Sequence, residues 1–237
     1  MILQTGKETV LVISDIQAPF HHKDALPFLD TLKKKIKPTR VIAIGDTVDH
    51  YMLGDYPHDP DADNVTDEQK KALKFLKELY QIFPDSVELE SNHNVRIFKK
   101  ASGAGIPATY LKDYAEMFDF PKGWSLAESV VIDGVKYEHG HLHGGAQAAY
   151  GAAITNMCST VIGHFHSYGG IQYIANQQKM IFAMNVGCLI DIHSYAFKYA
   201  KGNKRKPTLG TGVVTKGVPH WYPLLLDKKE RWTGGII

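Results

Sequence analysis

The residues able to do chemistry stand in five short groups. They are Asp15-Ile16-Gln17, Gly45-Asp46-Thr47-Val48-Asp49, Ser91-Asn92-His93-Asn94, His139-Gly140-His141 and Gly163-His164-Phe165-His166. Side chains alternate along extended backbone, so Gln17 falls on the same side as Asp15, and His166 on the same side as His164. Histidine is in excess, at 12 of 237 residues, and imidazole is the commonest metal ligand. A mix of carboxylate, imidazole and amide oxygen suits manganese, iron or zinc better than calcium or magnesium. Asp46 is a candidate bridge between two ions, because a carboxylate has two oxygens to share. Two ions roughly 3.5–4 Å apart clamp a phosphoryl oxygen and lower the pKa of a bridging water. His93, next to Asn92, is placed to act as the acid for a leaving oxygen. Asp49 is the nearest carboxylate that could fix its tautomer.

These groups need elements that carry them to one place. Val10–Ile13, Arg40–Ile44 and Ser86–Leu89 read as strands, with amphipathic helices between them over Lys23–Ile36 and Thr66–Ile82. Strand, helix, strand, helix, strand is the pattern of a parallel sheet with crossover helices. Ligands collect beyond the carboxyl ends of such strands, and Asp15, Asp46 and Asn92 each follow one. A single Asp there is an ordinary turn former; three in succession are not. In the second half, Val130–Ile132, Val135–Glu138 and Thr160–Ile162 read as short strands and Gly144–Met157 as a helix. Ile171–Ile174, Met180–Met184, Gly212–Thr215 and Trp221–Leu226 read as a run of antiparallel strands. Asp133-Gly134 is a hairpin turn signal. The segment 101–125 is the least periodic and is expected to be a helical insertion that, with the polar segment 51–65, shapes the substrate pocket. Two sheets packed face to face with helices outside is the simplest architecture, within a single domain over 1–237.

Bulk properties exclude several classes. A net charge of +2 names no partner by itself. Lysines cluster at Lys33–Lys37, Lys99–Lys100 and Lys201–Lys206, either as solvated faces or as a surface that meets a polyanion. Two cysteines, Cys158 and Cys188, make neither a disulfide framework nor a zinc ribbon. There is no membrane-length apolar run and no secretory signal, so a cytoplasmic setting is expected, the host's if the source is viral.

With these five groups in this order, the chain resembles the calcineurin-like metallophosphoesterase superfamily. That family carries Asp-x-His, Gly-Asp-x-x-Asp, Gly-Asn-His-Glu/Asp, a later His-Gly and Gly-His-x-His. The length and the string Ser14-Asp15-Ile16-Gln17-Ala18-Pro19-Phe20-His21 are similar to small phage and prophage members. The resemblance implies a four-layer αββα sandwich of two mixed sheets flanked by helices, the metallo-dependent phosphatase fold of the α+β or α/β class. It also implies a ligand division. One ion would take Asp15, Gln17, Asp46 and His166, and the other Asp46, Asn92, His139 and His164. His93, paired with Asp49, would be the acid or the phosphate-polarising group.

Departures from the family pattern refine the expectation. Gln17 stands where the family has a histidine; its harder, weaker donor favours manganese or magnesium at that site. Manganese is therefore expected, with iron, zinc, nickel and cobalt also fitting a binuclear centre. Ser91 and Asn94 replace the glycine and the acid around Asn92-His93. His50 stands where protein phosphatases hold a phosphate-gripping arginine, and it is a candidate substrate-binding residue together with Arg96, which can supply that charge. His141 is a candidate substrate-binding residue lining the pocket, with a structural role as its alternative, whereas His143 is more simply structural. His21, His22, His58, His193 and His220 are read as ordinary. The expected function is hydrolysis of phosphate mono- or diesters, favouring a phosphodiesterase acting on nucleotide-like substrates. A nuclease or nucleic-acid end-processing enzyme is the alternative, though no stacking platform is evident near the motifs. A non-catalytic metal-bound scaffold is a third reading.

Overall fold

The structure is a computed structural model that describes residues 6–145, 147–200, 202 and 204–236. Lys201 of the third lysine cluster and Ala146 of the expected Gly144–Met157 helix lie outside the described residues.

Strand β1 (Thr9–Ile13) is central to the first sheet and alternates strictly between two cores. Leu11 and Ile13 face one, and Val10 and Val12 the other. Helix α1 (Ala25–Ile36) returns the chain to β2 (Arg40–Ala43), which runs parallel to β1 with Val10 opposite Arg40. Helix α2 (Val65–Ile82) is started by Asn64, whose side chain accepts from the Asp67 backbone N–H at 3.0 Å. Asp67 and Glu68 add negative charge to its first turn, where the helix dipole favours it. β3 (Asp85–Leu89) then pairs with β2, also in parallel.

The segment after β3 is only partly the insertion expected. α3 (Arg96–Gly103) and α4 (Tyr114–Met117) are helical, but the stretch ends in a strand absent from the sequence reading. β4 (Gly123–Ala127) runs parallel to β3 at the sheet edge. Of its side chains only Trp124 is buried, donating from Nε1 to the Phe83 carbonyl at 2.7 Å. An edge strand with one inward side chain has no alternation to detect.

β5 (Ser129–Ile132), β6 (Val135–Glu138) and β7 (Ser159–Ile162) open the second sheet, with α5 (Ala148–Asn156) crossing from β6 to its parallel neighbour β7. The four late strands are not one antiparallel run. β8 (Gly170–Ala175) and β9 (Met180–Asn185) form a hairpin, and β9 lies parallel to β7. β10 (Gly210–Thr215) and β11 (Val218–Pro223) cross back, and β10 pairs antiparallel with β1. The sheet orders are β11-β10-β1-β2-β3-β4 and β5-β6-β7-β9-β8.

The layers follow from the cores. Val10, Val12, Ile42 and Ile44 of the first sheet meet Tyr137, Val161, Phe182 and Met184 of the second. Phe28, Leu29 and Leu32 of α1, with Phe75, Leu76 and Leu79 of α2, cover the outer face of the first sheet. Ala148 and Ala152 of α5 pack on Ile162. Helices, mixed sheet, mixed sheet and helix give the four-layer αββα sandwich, with the parallel strands of both sheets ending at a common crevice.

Candidate metal centre

The crevice gathers the sequence-predicted groups. Asp15 leaves the end of β1, Asp46 the end of β2, Asn92 and His93 the end of β3, His139 the end of β6, and His164 and His166 the end of β7. Asp15 and Asp46 are almost wholly buried. Two clusters have ligand atoms lying within 4.8 Å of one another: Asp15, Asp46 and His166, and Asp46, His139 and His164. Asp46 belongs to both.

The contacts inside each cluster are close. His166 Nε2 lies 3.2 Å from Asp15 Oδ2, and Gln17 Nε2 lies 3.1 Å from His166 Nε2 and 3.4 Å from Asp46 Oδ2. Rotating the Gln17 amide would turn its oxygen to the same place. His139 Nε2 sits 3.3 Å from Asp46 Oδ2 and 3.0 Å from Asn92 Oδ1. Its Nδ1 faces the Ile44 carbonyl at 2.9 Å, which fixes the proton there and leaves Nε2 as the free donor a metal requires.

Backbone geometry aims these side chains. Gln17, Asp46 and His164 adopt left-handed φ values of 52°, 51° and 64°, a conformation rare outside glycine. Gly45 has φ 104°, and a Cβ there would lie 2.7 Å from His139 Nδ1 and 2.8 Å from Ser91 Cβ. Gly163 admits no side chain either: a Cβ would lie 2.7 Å from Ile44 Cγ2 and closer still to Asp15 Oδ1. These glycines let the β2 and β7 loops close over the carboxylates.

The electrostatics mark the crevice as incomplete without a cation. Asp15 Oδ1 is buried with no hydrogen-bond partner, a costly state for a carboxylate oxygen. Burial opposes ionisation of Asp46, but the His139 and His93 rings beside it hold its carboxyl well below the usual range. Burial likewise opposes charge on His139, yet the Asp46 carboxylate pushes it up to about 9. Burial, with His139 alongside, lowers His164 to about 4. Paired buried acids, an orphaned carboxylate oxygen and imidazole nitrogens turned toward them together fit divalent metal ions.

His93 is held differently from the expectation. Its Nδ1 meets the backbone carbonyl of Asp49 at 2.6 Å, whereas the Asp49 carboxylate oxygen lies 3.8 Å away. That carboxyl accepts instead from Arg96 NH1 at 3.3 Å, while burial pushes it well above its ordinary pKa. The pairing of His93 with Asp49 therefore runs through the main chain. The other ring nitrogen, His93 Nε2, faces Arg96 NH2 at 2.9 Å and Asp46 Oδ2 at 3.6 Å. Burial lowers His93 to about 3. Arg96, with its side chain 19% exposed, is not a surface ion pair but part of the crevice wall.

His50 does not reach the crevice. Left-handed at φ 57°, it turns its ring onto Tyr114 and Phe118, with Nδ1 on the His93 carbonyl at 2.9 Å. Its expected substrate role is replaced by bracing of the Asn92-His93 loop. His141 lies on the opposite rim, 5.6 Å from the His139 ring, and its Nδ1 is buried without a partner. His143 bonds Glu138 at 3.0 Å, as a structural residue should.

Two features were missed or only half foreseen in the sequence reading. Glu88, fully buried, accepts from Thr47 Oγ1 at 2.6 Å and from Asn94 Nδ2 at 3.3 Å. Asn94 in turn bonds Ser91, whose Oγ accepts from the Asp46 backbone N–H at 3.1 Å. The Ser91 and Asn94 departures thus form one network with a carboxyl from β3, tying the Asp46 loop to the Asn92 loop. The second feature is a cavity of about 390 Å³ that opens beside Gln17, His93 and Arg96. The 51–59 loop and the turn of 3-10 helix Tyr195–Ala200 build its walls. His58, read as ordinary, lines it, whereas the 101–125 segment does not. Aromatic residues within the polar 51–65 loop were the available signal.

No family model matches the chain. It is 27% identical over 240 residues to the gene 54 protein of Mycobacterium phage D29, covering 92% of each chain. Among solved structures it is similar to Vps29 of Chaetomium thermophilum, with TM-score 0.48, 13% identity and 97% and 94% of the two chains covered. It is also similar to the phosphoesterase Yfce of E. coli, with TM-score 0.42, 14% identity and 97% and 96% covered. The chain resembles the calcineurin-like metallophosphoesterases in its motifs, and it is similar in sequence to phage proteins. Among the described residues no helix is long and apolar enough to cross a membrane.

Proposed function

We propose that the chain is a metal-dependent hydrolase of phosphate mono- and diesters, favouring a phosphodiesterase on nucleotide-like substrates. The observation that carries this reading is the pair of candidate clusters sharing buried Asp46, beside an Asp15 oxygen left without a partner. Asp15, Gln17, Asp46 and His166 would hold one ion, and Asp46, Asn92, His139 and His164 the other. Bound there, divalent ions, manganese by preference, supply Lewis acidity toward phosphoryl oxygen and an activated water.

The chain's own groups do the rest. His93 and Arg96, adjacent at 2.9 Å, present donors to a phosphate at the cavity floor. An arriving phosphate ester anion adds negative charge beside the buried His93, favouring a proton on Nε2, the atom nearest the crevice. The Asp49 carbonyl keeps the other proton on Nδ1. Delivery of the Nε2 proton to the leaving oxygen completes cleavage.

Turnover of bis-p-nitrophenyl phosphate and p-nitrophenyl phosphate with manganese tests the reading. No turnover with manganese, nickel or cobalt would overturn it. His93→Ala is expected to keep metal content and lower the rate by about 100-fold or more. Asp46→Asn is expected to lose both ions, measured by elemental analysis; one ion at full occupancy would refute the bridging role.

A further inference from the structure

The cavity beside the metal centre has a composition that phosphate recognition alone does not explain. Its floor is polar, formed by Gln17, His93 and Arg96, and its walls are carbon-rich, formed by Tyr51, Tyr195 and Phe197. The tyrosine hydroxyls are already engaged on the loop side. Tyr51 Oη accepts from the Asp59 backbone N–H at 2.7 Å, and Tyr195 Oη donates to Asp63 Oδ2 at 3.2 Å. What these rings offer a ligand is therefore chiefly aromatic carbon surface.

The rings are also fixed in place. Phe20 meets Tyr195 at 5.0 Å and Tyr51 at 6.0 Å between centroids, and Tyr51 meets Tyr195 at 5.2 Å, all edge to face. Phe197 packs 6.2 Å from the His166 ring, so the aromatic wall is continuous with the metal centre. At the mouth, Lys198 is ion-paired with Asp59, joining the two wall segments. Tyr56, 64% exposed, stands at the rim. A volume of about 390 Å³ lies in the range that encloses a small cofactor-sized ligand.

We propose that this cavity is a nucleobase-binding subsite, so that the phosphate ester processed at the metal centre carries a nucleoside whose base lies against Tyr51, Tyr195 and Tyr56. The polar floor takes the phosphate and the fixed aromatic wall takes a planar π-face. Stacking is tolerant of base identity, so discrimination among bases is expected to be weak. The proposal rests on the phosphoesterase reading for the chemistry but not for the binding.

Calorimetric titration separates the two. With manganese present, AMP is expected to bind about 10-fold more tightly than ribose 5-phosphate, both supplied as non-hydrolysable methylene phosphonates, the advantage of one stacked base. Tyr195→Ala and, independently, Tyr56→Ala should each narrow that advantage, with circular dichroism confirming that the variants fold. Equal affinity for AMP and ribose 5-phosphate overturns the proposal, as does tighter binding of a long-chain alkyl phosphate than of AMP. A 5′-phosphorylated oligonucleotide that competes with AMP assigns the nucleoside to a strand end, and failure to compete assigns it to a free nucleotide. Base preference without turnover of any ester would leave the subsite standing and remove the hydrolase reading; turnover without base preference would do the reverse.

Discussion

The smallest substitution able to test the metal centre is Gly163→Ala. The added methyl would fall 2.7 Å from Ile44 Cγ2 and nearer still to Asp15 Oδ1. Ordinary non-bonded separations are about 3.5–4.0 Å between carbons, so the carboxylate must retreat by roughly 1 Å. Metal–oxygen bonds of about 2.0–2.2 Å tolerate deviations of only about 0.2 Å. A loss of about 100-fold in metal affinity is the expected scale, at the upper end of what a disturbed ligand costs. At a free metal concentration of about 100 times the wild-type Kd, bound metal stabilises the wild-type fold by about 2.7 kcal/mol. In the variant the same concentration equals its Kd and contributes only about 0.4 kcal/mol. The difference of about 2.3 kcal/mol corresponds to a metal-induced rise in Tm smaller by about 5–9 °C for a domain of this size. Overpacking against Ile44 costs about 1–3 kcal/mol in its own right, but that cost is present with and without metal. Differential scanning calorimetry with manganese and with chelator therefore isolates the metal term. An equal metal-induced rise in the two proteins would show that Asp15 is not a ligand, or that Gly163 does not hold it.

Other perturbations probe the frame around the centre. Asp24 accepts from Arg231 at 2.9 and 2.6 Å and from the Trp232 N–H at 2.8 Å, and the Arg231 contact holds its carboxyl down to about 2. A depressed pKa stabilises the fold above the ordinary carboxylate range and loses that effect as pH falls toward 2. Asp24→Asn should therefore lower stability by about 1 kcal/mol at neutral pH and by progressively less in acid; a pH-independent loss in urea titrations would refute this. Glu88 has the opposite sign, since burial pushes it up to about 7. Its cost to the fold appears as pH rises above the ordinary glutamate value and is complete beyond about 7. With chelator present, Glu88→Gln should flatten the fall in Tm between these limits, and an unchanged slope would count against it. Glu88→Leu should cost about 2–4 kcal/mol, because Thr47 and Asn94 are left unpaired; a chemical denaturation midpoint equal to wild type would contradict the network.

What the sequence disclosed, and what it did not, divides along the range of the interactions. β1, β2 and β7 were legible because each combines a β-branched apolar run with a ligand-type residue just beyond it, and β3 and β6 because Val87 and Leu89, and Val135 and Tyr137, alternate with polar residues before one. The convergence of Asp15, Asp46, Asn92, His139, His164 and His166 followed from that repetition. β4 was not legible, because its only inward side chain is Trp124. The placement of β9 beside β7 rather than in a meander depends on inter-sheet packing of Phe182 and Met184, which leaves no local mark. Glu88 was hidden for a related reason. An acidic residue in a strand reads as solvent-facing, and only the fold reveals that Thr47 and Asn94 satisfy it. The aromatic cavity joins residues more than a hundred positions apart, so no spacing rule could have assembled Tyr51 with Tyr195.

The left-handed backbone at Gln17, Asp46 and His164 bears on how the chain can be altered. Each such residue costs the fold about 1–2 kcal/mol relative to glycine-like freedom, a cost set by where the side chain must aim. Selection for heat tolerance alone would be rewarded by relaxing these positions to glycine or asparagine. The gain in robustness would come from the atoms that face the crevice. The positions most improvable for endurance are thus those least free to change for activity, and libraries built on this scaffold should hold them fixed and search for stability elsewhere.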